Sequence, residues 1–290
     1  MIWVTGAAGM LGRELCEALA AAGYDYAATD RELDILDPVA VLAYARERRP
    51  GWIVNCAAYT AVDRAEDEEA LATRLNADGP AHLAAAARDI GARLLHISTD
   101  YVFAGDGTRP YLESDPVRPL GAYGRGKALG EAAALKAEPG AVILRTAWLY
   151  GRHGPNFVAT MLRLMAERES LGVVADQRGS PTWARDLAAA IVAIVGRRGF
   201  PAGVYHYTNS GEASWYEFAC AIQRLGLSLG LLTRPCLIKP LATSEYPTKA
   251  ARPAYSVLSK DKIMAQGLRP PAWEDSLSLY LSALKRDKEL

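Results

Sequence analysis

The chain has 290 residues, enough for one large α/β domain or two smaller ones without support from disulfides or metals. Lys plus Arg and Asp plus Glu each number 33, so the formal net charge is zero. This balance argues against nucleic acid and anionic membrane surfaces as partners, because both recruit proteins with a strong positive charge.

The cysteines and the N-terminus indicate the compartment. Four cysteines are scattered without a CxxC pair, which is typical of apolar thiols in a reducing environment. They are Cys16, Cys56, Cys220 and Cys236. The first residues lack the charged and apolar regions of a signal peptide, and the longest apolar stretch, 187–195, is too short for a membrane helix. We therefore expect a cytoplasmic protein.

Short apolar runs alternate with helical patterns in the first half of the chain. The predicted strands are residues 2–5, 24–29, 52–55, 93–98 and 141–145. The predicted helices between them are residues 10–22, 38–48, 67–90 and 125–137. Apolar strands separated by helices are typical of a parallel sheet that is covered on both faces. We predict a doubly wound α/β fold of Rossmann type, with ligands at the carboxyl edge of the sheet.

After about residue 150 the pattern is less regular and richer in glycine, proline and aromatic residues. The predicted helices there are 157–168, 183–196, 214–225 and 274–286, and the predicted strands are 171–174 and 203–207. We therefore divide the chain into a nucleotide-binding domain, 1–150, and a smaller, mainly substrate-binding lobe, 151–290. Elements from about 180–208 are expected to return to the sheet.

A glycine-rich turn joins the first predicted strand to the first helix. The segment 5–12 reads TGAAGMLG, which is a GxxGxxG spacing. Glycines at such a turn allow backbone amides and the helix N-terminus to approach a pyrophosphate closely. The predicted contacts with a dinucleotide cofactor are Gly6, Gly9, Met10, Leu11 and Gly12.

The identity of the dinucleotide depends on the end of the second strand. Asp30 is placed where a carboxylate accepts hydrogen bonds from the adenosine ribose, and it disfavours a 2′-phosphate. Arg31, beside it, and Arg13, in the first helix, attract such a phosphate. NADH and NADPH are therefore both open. Further contacts with the adenosine half are predicted for Asp34, Ile35, Ala57, Ala58 and Tyr59.

Residues 123–127 read Tyr-Gly-Arg-Gly-Lys. On a helix, residues four apart share a face, so Lys127 can lie beside Tyr123. An ammonium near a phenol favours the phenolate, which makes tyrosine usable as an acid or base below its ordinary pKa of about 10. Downstream of a dinucleotide-binding turn, this pair indicates redox chemistry.

Several longer strings, spread over nearly the full chain, resemble one family. They are AAYTAVD (57–63), STDYVF (98–103), LRTAWLY (144–150), NF (156–157) and RPAYS (252–256). The chain resembles the dTDP-4-dehydrorhamnose reductase family of the extended short-chain dehydrogenase/reductase superfamily. The resemblance implies hydride transfer from NADPH or NADH to the C4 ketone of a 6-deoxyhexose carried on dTDP.

The resemblance also implies roles for single residues. Tyr123 would protonate the nascent alkoxide, Lys127 would tune Tyr123 and bind the nicotinamide ribose, and Thr99 would hydrogen-bond the substrate carbonyl. The guanidinium fork of Arg252 suits a diphosphate. The implied substrate contacts are Thr99, Asp100, Val102, Trp148, Asn156 and Arg252.

A metal and a second subunit are known for some members of the family. These members hold Mg²⁺ at a dimer contact through a glutamate of the first helix, which corresponds here to Glu14. The remaining acidic ligands are not matched, since Arg185 stands where an acid is expected. We predict no metal, because Tyr123 and Lys127 can handle the oxygen without a cation. A homodimer is a further expectation.

Other functions share parts of this pattern. A ketoreductase for another nucleotide sugar, an epimerase or a 4,6-dehydratase shares the fold and the YxxxK pair. A dehydratase, however, carries an acid directly after the Thr-Asp pair, where this chain has Tyr101. The regulatory subunit of methionine adenosyltransferase is also similar to the family and serves as a partner protein. The retained Thr99, Tyr123 and Lys127 favour an enzyme over such a subunit.

Overall fold

The computed structural model describes residues 1–289, with side chains described through residue 286. The strands are β1 (Ile2–Thr5), β2 (Tyr26–Thr29), β3 (Trp52–Asn55), β4 (Arg93–Thr99), β5 (Val142–Thr146), β6 (Leu149–Tyr150), β7 (Ser170–Val174), β8 (Arg178–Gly179), β9 (Thr182–Trp183), β10 (Gly203–His206), β11 (Ala213–Ser214) and β12 (Leu237–Leu241). The helices are α1 (Met10–Ala21), α2 (Pro38–Arg48), α3 (Val62–Ala65), α4 (Glu69–Thr73), α5 (Gly79–Ile90), α6 (Ala122–Ala137), α7 (Phe157–Glu167), α8 (Ala184–Gly196), α9 (Trp215–Ser228), α10 (Asp261–Ala265) and α11 (Trp273–Glu289).

Six strands form the central sheet, in the order β10-β5-β4-β3-β1-β2. Every neighbouring pair in this sheet is parallel. Because β1 lies between β2 and β3, the direction of winding changes beside β1, and the carboxyl ends of the strands meet there at one edge. The predicted doubly wound α/β fold is confirmed.

Alternating side chains of the strands build two apolar layers. Ile2 and Val4 pack on one face of the sheet, against leucines of α1 and aliphatic residues of α8. Trp3, between them, points to the opposite face and packs with residues of α2 and α5. This follows from the two-residue period of a strand, which sends successive side chains to opposite faces. The sheet is therefore buried on both sides.

The C-terminal lobe has a core of a different kind, built around aromatic rings. Its buried members include Tyr150, Trp183, Phe218, Trp273 and Tyr280, carried by short strands and by α9 and α11. A parallel pair of strands, β7 with β12, covers one side of this core. The strand β12 was not predicted, because its sequence LIKPL contains a lysine and a proline, which weaken a strand pattern.

The boundaries of two other predicted elements differ in the structure. The strand predicted for 24–29 begins only at Tyr26, because the amide of Tyr24 still donates to Leu19 at the end of α1. The helix predicted for 67–90 consists of α4, a π-helical turn over Arg74–Asp78, and α5. The wider turn is marked by the amide of Gly79, which donates to the carbonyl of Arg74 five residues earlier.

Candidate active site

The glycine turn between β1 and α1 brings the backbone close to a neighbouring loop. Gly6 has a φ of +67°, and a Cβ there would lie 2.5 Å from the amide nitrogen of Ala57. A Cβ at Gly12 would lie 2.2 Å from the carbonyl oxygen of Gly6. Gly9 occupies the N-cap position of α1 and has no side chain to cap the helix. The amides of the first turn of α1 are therefore open to an anion.

An outer cleft of about 940 Å³ lies beside this turn, at the carboxyl edge of β1, β2 and β3. Its lining contains the predicted adenosine contacts Asp30, Arg31, Asp34, Ile35, Ala57, Ala58 and Tyr59. Arg13, in contrast, directs its Nε to the carbonyl oxygen of Ala8, 3.0 Å away, within the glycine turn itself.

An inner cleft of about 440 Å³ continues from the outer cleft. The two share Gly9, Cys56, Ala58 and Thr60 in their linings. The inner cleft is bordered by the start of α1, the ends of β4 and β5, and α6. Its lining contains the predicted residues Met10, Leu11, Gly12, Thr99, Asp100, Tyr123, Lys127 and Trp148. The structure thus places the YxxxK pair next to the glycine turn.

The YxxxK pair occupies the first two turns of α6. Lys127 is 2% exposed, and its Nζ donates to the carbonyl oxygen of Ile97 at 2.6 Å. Burial lowers the pKa of Lys127 to about 8. Burial also raises the pKa of the Tyr123 phenol far above its usual value, and a hydrogen bond with Thr99 opposes this rise. Desolvation is the largest cause of this shift, and the tuning of Tyr123 by Lys127 stays a prediction.

Thr99 ends β4, Asp100 follows it, and both line the inner cleft. The Thr99 hydroxyl donates to Asp100 Oδ1 at 3.0 Å and accepts from the amide of Tyr101 at 3.2 Å. Burial raises the pKa of Asp100 to about 6. Tyr101 meets Tyr123 edge to face, with 5.5 Å between the ring centroids. No carboxylate stands at position 101, so the second acid of an elimination is missing there.

A buried polar chain that the sequence analysis did not identify leads to Lys127. The hydroxyl of Thr5 donates to Asn55 Oδ1 at 2.8 Å, and Asn55 Nδ2 lies 3.0 Å from His96 Nδ1. His96 Nε2 in turn lies 3.2 Å from Lys127 Nζ. The available signal was a histidine inside the apolar run 94–97, since a buried histidine needs a partner.

Trp148 is held in an unusual conformation at the edge of the inner cleft. Its φ is +49°, in the left-handed region that residues other than glycine rarely adopt. Its indole stacks on that of Trp215, with 3.6 Å between centroids and 8° between planes. Gly179 leaves room for it, since a Cβ there would lie 2.5 Å from the Trp148 ring. Trp215, which was not predicted, fixes this wall of the cleft.

Arg252 lies beside the inner cleft rather than in its lining. Its Nη2 is paired with Asp63 Oδ2 at 2.6 Å, and its guanidinium is 6.0 Å from the centre of the Tyr101 ring. Its Nη1 is buried, and a side-chain hydrogen bond with Arg252 lowers the pKa of Tyr101 against the larger effect of burial. The guanidinium thus retains donors for a further anion.

Two predicted substrate contacts are placed elsewhere by the structure. The side chain of Val102 is completely buried and packs in a cluster with Phe103, Tyr111 and Leu258, so it lies behind the cleft wall and not in the cleft. Asn156 caps α7: its Oδ1 accepts from the amide of Ala159, and its Nδ2 donates to the carbonyl of Gly151. The polar atoms of Asn156 are therefore used within the protein.

Tyr59, at the boundary of the outer cleft, is held by two residues that the sequence analysis did not identify. Its amide and carbonyl are bonded to the side chain of Asn76, at 2.9 and 3.0 Å, and its hydroxyl donates to Glu68 at 2.6 Å. Asn76 is completely buried in the π-helical turn. The helix α6 passes close to it, because a Cβ at Gly130 would lie 2.0 Å from its carbonyl oxygen.

A doubly wound parallel sheet with a glycine turn, a bordering cleft and a Tyr/Lys pair on α6 defines an oxidoreductase of the extended short-chain dehydrogenase/reductase class. A family model described as the RmlD substrate binding domain matches residues 1–286. The chain belongs to this family, and the predicted resemblance is confirmed.

Similar proteins carry related names. The chain is 50% identical over 273 residues to a probable dTDP-4,6-dihydroxy-2-methyloxan-3-one 4-ketoreductase of Streptomyces antibioticus, covering 93% of this chain and 90% of that protein. It is 47% identical to a dTDP-4-dehydrorhamnose reductase of Streptomyces griseus, covering 97% and 93%. A crystal structure of the dTDP-4-dehydrorhamnose reductase of Bacillus anthracis in complex with NADP has a TM-score of 0.90 at 40% identity, covering 96% and 97%.

The described part of the chain also bears on the expectations about a membrane helix and about the surroundings of Glu14. None of its helices combines the length and apolarity needed to cross a lipid bilayer. Glu14 and Arg185 border a separate cavity of about 310 Å³. Burial raises the pKa of Glu14, and the positive charge of Arg185 opposes this rise.

Proposed function

We propose that this chain reduces the C4 ketone of dTDP-4-dehydro-L-rhamnose to dTDP-L-rhamnose, with NADPH or NADH as the reductant. The observation that carries the proposal is the position of Tyr123 and Thr99 in the inner cleft, which opens directly into the outer cleft beside the glycine turn. The relatives named as reductases of dTDP-sugar ketones supply the substrate class.

The residues of the clefts suit a nicotinamide dinucleotide. The uncapped N-terminus of α1, formed by Gly9 and the residues after it, suits the pyrophosphate. Asp30 and Arg31 would contact the adenosine ribose, and the small Ala57 and Ala58 would allow the cofactor to pass between the clefts. When bound, the cofactor supplies the hydride that forms the new C–H bond at C4.

Tyr123 would complete the reduction as the acid. As the C4 carbonyl becomes an alkoxide, the Tyr123 Oη–H bond breaks and the proton passes to the sugar oxygen. The raised pKa of Tyr123 keeps the phenol protonated until that charge develops. The hydroxyl of Thr99, which donates to Asp100 in the free protein, would turn its proton to the same oxygen and hold the ketone against Tyr123, as the stabilisation of an oxyanion requires.

Lys127 would act beside Tyr123. Its Nζ is anchored by the carbonyl of Ile97 and lies at the cleft wall, where a ribose hydroxyl of the cofactor would meet it. A positive charge at this point stabilises the phenolate that remains after Tyr123 has given up its proton. Lys127 would thus tune Tyr123 by stabilising its phenolate once the proton has been transferred.

The substrate would be held at both ends. The guanidinium of Arg252, which lies beside the inner cleft and has five N–H donors, suits a phosphate oxygen of the dTDP diphosphate. Trp148, fixed by the stacked Trp215, offers a flat apolar wall for the sugar. Asp100, with a pKa of about 6, would contact a sugar hydroxyl. The binding of dTDP by Asn156 stays a prediction that its capping hydrogen bonds do not favour.

A second candidate is a 4-ketoreductase for a different dTDP-linked keto sugar. The observation that favours it is the 50% identity to a 4-ketoreductase named for another sugar. A dehydratase is disfavoured, because Tyr101 has a pKa that burial raises to about 12 and cannot act as the additional carboxylic acid.

One assay separates these functions. The protein is mixed with dTDP-4-dehydro-L-rhamnose, which is dTDP-4-keto-6-deoxy-L-mannose, and with NADPH or NADH. The nicotinamide absorbance is followed, and the sugar product is identified. We expect one equivalent of cofactor to be oxidised per dTDP-L-rhamnose formed. Product formation without net oxidation of the cofactor would exclude the reductase, and turnover restricted to another keto sugar would favour the second candidate.

A further inference from the structure

The buried polar chain of Thr5, Asn55 and His96 has a fixed direction of donors and acceptors. All three side chains are at most 1% exposed. The amide of Ala57 donates to Asn55 Oδ1 at 2.9 Å, and the Thr5 hydroxyl donates to the same oxygen at 2.8 Å. Because a backbone N–H can only donate, the oxygen of Asn55 must face Ala57, and Nδ2 must face His96.

This orientation of Asn55 determines which nitrogen of His96 carries a proton. Asn55 Nδ2 is a donor, so His96 Nδ1, 3.0 Å away, must accept. Burial lowers the pKa of His96 well below its usual value, so the ring is neutral. A neutral imidazole with a bare Nδ1 carries its proton on Nε2, the atom that lies 3.2 Å from Lys127 Nζ.

We propose that Thr5, Asn55 and His96 are positioning residues that present the Nε2–H of His96 to Lys127 and thereby oppose the ammonium form of this lysine. An ammonium at Nζ would set two donors against each other, whereas a neutral amine can accept from Nε2–H. In both forms Nζ can still donate to the carbonyl of Ile97. The inference rests on the proposed function for the role of Lys127 in turnover.

The other titratable groups around Lys127 do not supply this effect. Glu131, one turn farther along α6, favours the ammonium, but it forms a bidentate pair with the buried Arg145 of β5, at 2.6 and 2.8 Å. Cys56, after β3, is a neutral thiol because burial raises its pKa to about 12. Tyr123, on the preceding turn, keeps its proton. His96 is thus the neighbour on β4 that offers Nζ a donor.

The tautomer of His96 can be measured without any turnover. Nitrogen NMR of the ¹⁵N-histidine-labelled protein, with the His96 signals assigned by their loss in His96→Gln, shows which ring nitrogen is protonated. We expect a neutral ring with the proton on Nε2 throughout the range of pH in which the protein is folded. A proton on Nδ1, or an imidazolium near neutral pH, would overturn the proposal.

The effect on Lys127 is read from the pH dependence of kcat/KM. In the proposed function, kcat/KM falls at alkaline pH as the Lys127 ammonium loses its proton, which gives the pH profile its alkaline limb. A glutamine at position 96 can turn its carbonyl to Nζ and accept from the ammonium. His96→Gln should therefore move this limb upward by about 1 pH unit. The control His153→Gln, at a histidine that pairs with Glu17 away from the clefts, should leave the limb in place. Uniformly reduced activity in His96→Gln with an unmoved limb would reduce the role of His96 to structure and overturn the proposal.

A second variant covers the case in which His96→Gln does not fold. Asn55→Asp keeps the oxygen that accepts from Ala57 and replaces Nδ2 by an acceptor, so the proton of His96 should move to Nδ1. Retention of the Nε2 proton in this variant would contradict the argument from Asn55. These NMR results stand even if the protein fails to reduce the keto sugar, and a reversed tautomer in an active reductase would refute the positioning role alone.

Discussion

The two clefts differ in how they expose charge. The charged residues of the outer cleft, such as Arg31 and Asp34, are exposed at the surface, and much of the remaining lining is small residues and backbone. The inner cleft contains Lys127 and Asp100, each at most 2% exposed, beside the phenol of Tyr123. Exposed charges cost little free energy, whereas buried ionisable groups destabilise the fold unless they are satisfied.

This difference separates binding from chemistry. Groups that remain in water keep their charge and can attract a ligand, but they gain little reactivity. Groups withdrawn from water acquire shifted pKa values. Burial lowers the pKa of Lys127 and raises the pKa values of Asp100 and Tyr123. Substitutions in the inner cleft should therefore change kcat or stability, and substitutions around it should mainly change KM.

The largest effect is expected for Tyr123→Phe. Loss of the proton donor should lower kcat by about two to four orders of magnitude, the range typical of general acid catalysis, while KM for the cofactor changes little. Steady-state kinetics with dTDP-4-keto-6-deoxy-L-mannose measures both parameters. Full activity in this variant would remove Tyr123 from the mechanism, and a loss confined to KM would place it with the binding residues.

Lys127→Met should stabilise the fold while impairing turnover. The folded-state pKa of about 8 lies below the ordinary value of 10.5, so the unfolded chain binds more protons between these values. The wild-type penalty is therefore fully present below about pH 8 and disappears as the pH rises towards 10.5. We expect the variant to gain roughly 2 to 3 kcal/mol of unfolding free energy at pH 7.

Urea unfolding of Lys127→Met and wild type at pH 7 and pH 10 measures this difference. A gain at pH 7 that shrinks at pH 10 supports the cost of the buried lysine. Lys136→Met, in the last turn of α6, is the control and should show no such dependence on pH. A variant less stable than wild type at pH 7 would show that the contacts of Lys127 outweigh its desolvation.

Arg252→Ala tests a residue outside the lining of the inner cleft. Loss of a diphosphate anchor removes binding energy from the ground and transition states alike, so KM for the dTDP-sugar should rise about 10- to 100-fold with kcat nearly unchanged. Arg118→Ala, which removes an exposed arginine paired with Asp106, should leave KM as it is. A fall in kcat alone would contradict the role of Arg252 as an anchor.

The smallest effect is expected for Arg31→Ala in the outer cleft. If the exposed guanidinium contacts the 2′-phosphate, KM for NADPH should rise by up to about tenfold, equivalent to about 1.4 kcal/mol, while KM for NADH stays constant. Parallel titrations with both cofactors measure the ratio, with the exposed Arg46→Ala as control. An equal change for the two cofactors would exclude a contact with the 2′-phosphate.

The sequence was sufficient where a local pattern dictates a local structure. The strands of the sheet were predictable because each is a short apolar run, and the glycine turn because its spacing follows from steric contact with a pyrophosphate. The same reasoning failed at β12, where Lys239 and Pro240 lie in a strand that its partner β7 stabilises. Tertiary pairing there outweighs the weak local preference.

The motifs predicted which segments form the site, but they did not predict which of their side chains point into the cleft. Val102 belongs to the same string as Thr99, yet its side chain is buried in the core, because the chain leaves β4 in a 3₁₀ turn over Asp100–Val102. His96 and Asn76 belong to none of the recognised motifs, so they were missed. Their roles depend on partners 31 and 17 residues away in sequence, which no local pattern reveals.

The π-helical turn over Arg74–Asp78 links the cleft to the packing of the helices. Without this wide turn, the same residues wound as an unbroken α-helix would rotate the segment before it by roughly 100° relative to α5. Asn76 and Glu68 would then turn away from Tyr59, which both now hold. The orientation of the rim of the outer cleft is thus set by the width of one helical turn, and the same turn contributes Leu75 to the lining of that cleft.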